Sequence, residues 1–537
     1  MASPARRPTL SRRRFLALGA AAGAALGTAP TSRASAATTP SLASPSELSR
    51  WLRVMANGGP RFTGTRAHNS YIDFLDTQLS GIGLRTHRDR QHFTRWTVRS
   101  WGLDLQHPAE KLTAASYYSY SGATPPGGIT AELCYCGVLP PPSLPGNPLY
   151  LAATSVAAQA ALAQANAGVV DRLVQDSGGV TGRIAVVDVP LPPPTPFGSL
   201  YADMSYLYDP AGTLGPTADF KRAGLLLLLP TLNAFAAAGA LGVIFVVDAS
   251  AANAAGQYAP FIEPLQGLPA LLVDRDTGAR LRSAAGTRRK ATMVLDAHLQ
   301  PNTPSDTLWA ELPGATDEVI IVNTHTDGPN VAEENGGLAL VSLARYFSKL
   351  PTSGRRRGLV FLAATGHFAA ELKSTNGWVA DHQDLVSRAA AGLCLEHLGS
   401  REWLDDPLAG YRPSGLPEPA LVFHSQTPIV DYGIQATDAA ALDRTAFLRP
   451  LGATFLGEGA ALHEAGVPTL GFIPLPNYLL SFSDNQHLDK VDPRLMSRQI
   501  AWAARLIRMV DPVPTAALKA GDSAALPSYL GGQLPVK

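Results

Sequence analysis

The sequence predicts an α/β fold, a mixed and mainly parallel sheet flanked by helices, with a smaller α/β domain inserted into it. Two observations predict it. From residue 305 onward, short β-branched runs alternate with helical patterns, which is how a largely parallel sheet with crossover helices reads. From about 127 to 297 the texture is different, with short strands separated by turns, so a second module interrupts the first.

The length of 537 residues suggests two or three domains with ample core. With 44 basic against 43 acidic side chains the net charge is +1, which argues against nucleic-acid binding, because phosphate recognition needs a concentrated basic face. Three cysteines cannot staple a chain of this size, so packing and a bound metal are the expected sources of order. A mutual disulfide between Cys134 and Cys136 is not expected, and Cys394 reads as a small core residue in a buried strand.

In chain order, residues 1–36 read as an address. Arg12-Arg13-Arg14-Phe15-Leu16 precedes a small-residue apolar stretch and Ala34-Ser35-Ala36, the pattern of a twin-arginine export signal with a cleavage site. The expected partner is the twin-arginine export machinery, and the expected destination is outside the cytoplasm. That stretch and the apolar run 223–230 are both too short to span a bilayer. Residues 41–126 form the first part of the main domain. Leu48, Trp51, Leu52 and Met55 share a helical face, Gly58-Gly59-Pro60 breaks it, and Tyr71, Phe74, Leu75 and Leu79 mark a second helix closed by Gly81-Ile82-Gly83. Residues 127–300 form the insert, with strands at 182–188, 242–248 and 269–273, a Pro-rich loop at 190–196 and an Ala-rich helix at 234–240. Residues 301–512 complete the main domain: strands at 319–322, 359–364, 392–395 and 467–473, a helix at 337–350, and a closing helix near 494–510. Residues 513–537 read as a tail.

In open α/β sheets ligands bind beyond the carboxyl ends of strands. Here the strand ends carry His325-Thr326-Asp327 with Glu333-Glu334 soon after, then His367-Phe368, then Glu396-His397, and Glu458, His463-Glu464 and His487 flank the last strand. Imidazole and carboxylate together are the ligand set of zinc and similar divalent ions. No Gly-x-Ser-x-Gly elbow follows a strand, so a serine hydrolase is not expected.

The order of segments resembles the family 28 zinc metallopeptidases, aminopeptidase-like enzymes with an inserted protease-associated domain. The resemblance rests on Gly58-Gly59-Pro60-Arg61-Phe62-Thr63-Gly64-Thr65, on Gly239 to Ile244 and Leu268-Pro269-Ala270 in the insert, and on Leu308 to Gly314 as the returning strand. It rests further on His325-Thr326-Asp327, Ala465-Gly466-Val467-Pro468 and Asp489-Lys490-Val491-Asp492. The family's two-metal pattern is altered at several places. His325 keeps a ligand position and Asp327 the orienting carboxylate; the bridging Asp falls on Glu334, and the Glu-Glu pair of base and ligand on His367 and Phe368. The next Asp falls on Glu396, and the last His on Phe482, with His487 five residues on.

The resemblance therefore implies a remodelled site with one zinc or other divalent ion, held by His325, Glu334, Glu396 and His487, with His397 as the alternative to His487. His367 would be the base and Asp327 would fix the tautomer of His325. The implied function is an exported, metal-dependent hydrolase of peptide or amide bonds. The alternatives are a glutaminyl-cyclase-like acyl transferase on the same fold, and a non-catalytic binding protein of the kind the transferrin receptor represents.

Overall fold

The computed structural model describes residues 40–140, 168–190, 195–220, 229, 232–258, 265–369, 371–451 and 455–521. The segment 1–36 read as an export signal, most of the Pro-rich loop, most of the run 223–230 and the end of the tail lie outside these residues.

The helix Pro45–Gly58 starts where a helix should: Ser44 accepts a hydrogen bond from the Glu47 backbone N–H, Pro45 supplies the first turn, and Gly59 at φ 84° ends it. Its buried face is Leu48, Trp51, Leu52 and Met55, as the spacing predicts. Thr65 caps the second helix, Arg66–Gly81, through the His68 backbone N–H. The closing helix, Pro493–Val510, is capped by Asp492 and buries Met496, Ile500, Trp502 and Leu506 in the same core cluster.

The main sheet runs in spatial order Ser116–Tyr117, Ala270–Val273, Gly242–Val247, Ile184–Val189, Ile129–Val138, Lys290–Leu312, Gly358–Ala364, Val319–His325, Ala389–Leu395, Thr469–Pro474, Ala420–His424, Thr445–Leu448 and Met204–Tyr208. The long strand Lys290–Leu312 joins its two halves. Its first residues pair with Ile129–Val138, its last with Gly358–Ala364, and along its length it pairs antiparallel with Arg85–Leu105. The central strands Gly358–Ala364, Val319–His325, Ala389–Leu395 and Thr469–Pro474 are mutually parallel and wholly buried, which explains their largely apolar sequences.

Two features go beyond the sequence reading. Part of the segment 127–300 leaves the first half of the sheet: Met204–Tyr208 adds an antiparallel edge beside Thr445–Leu448, at the opposite end. Cys134 and Cys136 both lie in the apolar cluster with Leu139, Val187 and Phe245, while Leu133 and Tyr135 pack on the other side. The two-residue period of a strand puts both thiols on one face.

Candidate metal centre

Parallel pairing fixes the site. Val319–His325 lies between Gly358–Ala364 and Ala389–Leu395, with His325 opposite Ala364 and Asn323 opposite Cys394. The residues just past these strand ends, His325, His367, Glu396 and His397, therefore reach one edge of the sheet. Glu333 arrives from the turn that precedes the helix Gly336–Ser348. Gly336 makes this approach possible, since a Cβ there would stand 2.1 Å from the Leu395 carbonyl oxygen.

Three buried groups converge. The ligand atoms of His325, Glu333 and His397 lie within 4.8 Å of one another. The Nδ1 of His325 is 2.9 Å from the Asp327 carbonyl oxygen, and that of His397 is 2.7 Å from the Pro474 carbonyl oxygen. A carbonyl only accepts, so each Nδ1 carries the proton and each Nε2 turns a lone pair inward. Nε2 of His325 is buried without a hydrogen-bond partner, and Nε2 of His397 lies 3.2 Å from Oε2 of Glu333, both atoms buried. Two imidazole lone pairs and one carboxylate in this arrangement can hold a proton or a divalent cation, and the donor chemistry is that of zinc. His397 also sits at φ 57°, a left-handed conformation uncommon for residues other than glycine and concentrated at functional sites.

The charges agree with this geometry. Burial alone would raise the Glu333 carboxyl, but the imidazoles of His397, His325 and His367 hold it below the usual carboxylate range. Burial opposes charge on His397, yet Glu333 and Glu396 lift it above the ordinary imidazole value.

Beside the cluster stands a second device. His367 Nδ1 is 2.7 Å from Glu458 Oε1, and its Nε2 is 3.9 Å from Glu333 Oε1. The other Glu458 oxygen accepts from the Ser374 hydroxyl at 3.0 Å, the Thr375 backbone N–H at 3.2 Å and the Thr375 hydroxyl. Burial resists charge on His367, but Glu458 and the neighbouring carboxylates push it up to about 9, while Glu458 is held down to about 2. Both shifts favour the ionised form of the pair, in which His367 has a proton to give. Its ring stacks on that of His325 with centroids 4.2 Å apart. At 19% side-chain exposure it is also the most open of the three histidines.

The other residues singled out from the sequence take different places. Glu334 points away from the cluster and forms a buried ion pair with Arg61; Glu333, one residue earlier, fills the position expected for it. Successive residues of a turn face different directions, so a one-residue choice of register decides this. Asp327 does not hold His325 through its carboxylate. That group accepts from the backbone N–H of His367 and Phe368 and from the Thr63 hydroxyl, shaping the 366–368 turn, while the Asp327 carbonyl orients His325. Glu396 borders the cluster, with Oε2 3.7 Å from His397 Nε2, but its Oε1 accepts from the Glu458 backbone N–H and the Cys394 thiol. His487 stands outside, bonded to Ser481 and packed on Tyr478, and burial pulls it down to about 3. The two phenylalanines at family ligand positions are packing residues: Phe368 lies against His325 and His367, and Phe482 joins Phe62, Trp101 and Tyr117. Glu458, which in the sequence only flanks the last strand, and Thr63, which there is one residue of the 58–65 turn, acquire their parts through the fold.

No family model and no curated protein matches the sequence. Solved structures do match the fold. The zinc aminopeptidase from Bacillus subtilis is similar over 88% of this chain and 97% of its own, at 13% identity and a TM-score of 0.55. An aminopeptidase from Aneurinibacillus sp. strain AM-1 matches over 92% and 98%, at 15% identity and 0.52. A peptidase M28 precursor from Shewanella amazonensis matches over 90% and 98%, at 15% and 0.56. The chain therefore has an aminopeptidase-like α/β fold, and its polar cluster lies at the carboxyl edge of the central strands of that fold.

Proposed function

We propose that the protein is a hydrolase of peptide or amide bonds working with one divalent ion, zinc in the first instance, held by His325, Glu333 and His397. The observation that carries this reading is the convergence of three buried ligand groups, two imidazoles and a carboxylate within 4.8 Å of one another, at the carboxyl ends of parallel strands. Two histidines and a glutamate with a further position open is the ligand count of catalytic zinc. When bound, such an ion supplies Lewis acidity, which polarises a carbonyl and acidifies water. The chain's own residues supply the rest. His367, fixed by Glu458, presents Nε2 toward Glu333 and can give a proton to a departing amine. Asp327 holds the 366–368 turn that carries it. The export signal read in residues 12–36 supports action outside the cytoplasm.

The test is a panel of aminoacyl amides and short peptides offered to the zinc-reconstituted full chain and to His367→Gln and His397→Ala. Hydrolysis by the parent, with a deep loss in both variants, is expected. A parent that holds zinc yet cleaves nothing in the panel would overturn the hydrolase reading in favour of a binding protein on this fold.

A further inference from the structure

Cys134 and Cys136 lie outside the site just described, on the strand Ile129–Val138. Both are buried, in one apolar cluster, and all three cysteines of the chain are free thiols. Between Tyr135 and Gly137 the pairing with Ile184–Val189 slips by one residue, so Cys136 is the extra residue of a bulge. In a flat strand, positions two apart are separated by roughly 6.6 Å, the upper edge of the Cα separations of about 4.4–6.8 Å that a disulfide spans. A bulge folds the strand and shortens that step. The Cys136 thiol reaches the Cys134 carbonyl oxygen at 3.6 Å and the Cys134 thiol is its direct neighbour. Burial also pushes Cys136 up to about 12, which leaves almost no thiolate once the strand is packed.

We propose that Cys134 and Cys136 form an intrachain disulfide when the chain folds in oxidising surroundings, with a small disulfide such as oxidised glutathione as the electron acceptor. One cysteine thiolate attacks the glutathione disulfide and expels a glutathione thiolate. The second cysteine thiolate then attacks the mixed disulfide and expels the other. Two protein thiols lose two protons and two electrons, and one glutathione disulfide becomes two thiols. Because thiolate is scarce in the packed strand, the bond forms during folding and fixes the bulge as the sheet closes.

The test refolds the full chain from denaturant in a glutathione redox buffer and, in parallel, in reductant alone. Each sample is then denatured, alkylated and mapped by mass spectrometry. The reduced sample should take up an alkyl group at all three cysteines, the oxidised one only at Cys394, with the 134–136 peptide lighter by two hydrogens. Three alkylated cysteines after oxidative refolding would overturn the proposal, as would glutathione left on either thiol or a bond to Cys394. The same count on chain produced in an oxidising compartment gives the answer without refolding.

Discussion

Replacing Arg61 tests whether Glu334 belongs to the scaffold or to the metal. Arg61 and Glu334 face each other with side chains 1% and 0% exposed. The guanidinium also donates to the Met55 and Gly59 carbonyl oxygens at 2.8 and 2.6 Å, tying the end of the first helix to the turn before His68. Burial pulls Arg61 down to about 9, so it stays charged at neutral pH. Removing one partner of such a pair strands a buried charge, a cost of about 3–5 kcal/mol, whereas removing both is often close to neutral. Arg61→Met and Glu334→Leu should each destabilise the metal-stripped chain by about that amount. The double variant should fall short of their sum by at least about 3 kcal/mol, the coupling being large because the two side chains touch and share no solvent. Urea unfolding followed by circular dichroism measures the cycle. Single costs below about 1 kcal/mol that simply add would refute the reasoning, since Glu334 would then be free to serve as a ligand.

Two further outcomes follow from the packing. His424 is buried and neutral, its Nδ1 donating to the Ser425 carbonyl and its Nε2 accepting from Ser205, with burial lowering it to about 4. An unfolded chain takes up that proton near pH 6.5, so stability should fall as pH drops from there toward 4, by about 1.4 kcal/mol per pH unit from this residue. His424→Gln should flatten the fall, and an unchanged acid limb in urea titrations would contradict the assignment. Gly256 stands at φ 68° with the Phe482 carbonyl oxygen 1.9 Å from where a Cβ would sit. Gly256→Ala should break the joint made by Phe482 N–H to the Gly256 carbonyl and Tyr258 N–H to the Leu480 carbonyl. The expected cost is about 1–3 kcal/mol, with faster exchange of the Tyr258 and Phe482 amides; unaltered exchange there would show that the joint is not tight.

Much of the scaffold was legible because strand and helix periods are local. The alternation from 305 onward, the helical face of Leu48, Trp51, Leu52 and Met55, and the strand ends at His325, His367 and Glu396-His397 all follow from neighbouring residues. Long-range placement was not legible. Nothing near Met204 shows that its strand joins the far edge of the sheet beside Thr445–Leu448. Glu333 and Glu334 are chemically alike, and only the approach of Arg61 from the turn between the first two helices decides which turns away from the cluster. His487 stands near the right place in sequence but is consumed by Ser481, whereas His397 is turned into the cluster by a left-handed backbone that its neighbours do not announce.

The most direct test of the metal centre is a zinc titration, read with a competing chromophoric chelator, on the parent chain and on Glu333→Gln, His397→Ala and His487→Ala. The account predicts a single ion in the parent, binding weakened by well over about 100-fold in the first two variants, and His487→Ala indistinguishable from the parent. A parent that binds no zinc, or a site lost with His487 and kept without His397, would contradict it.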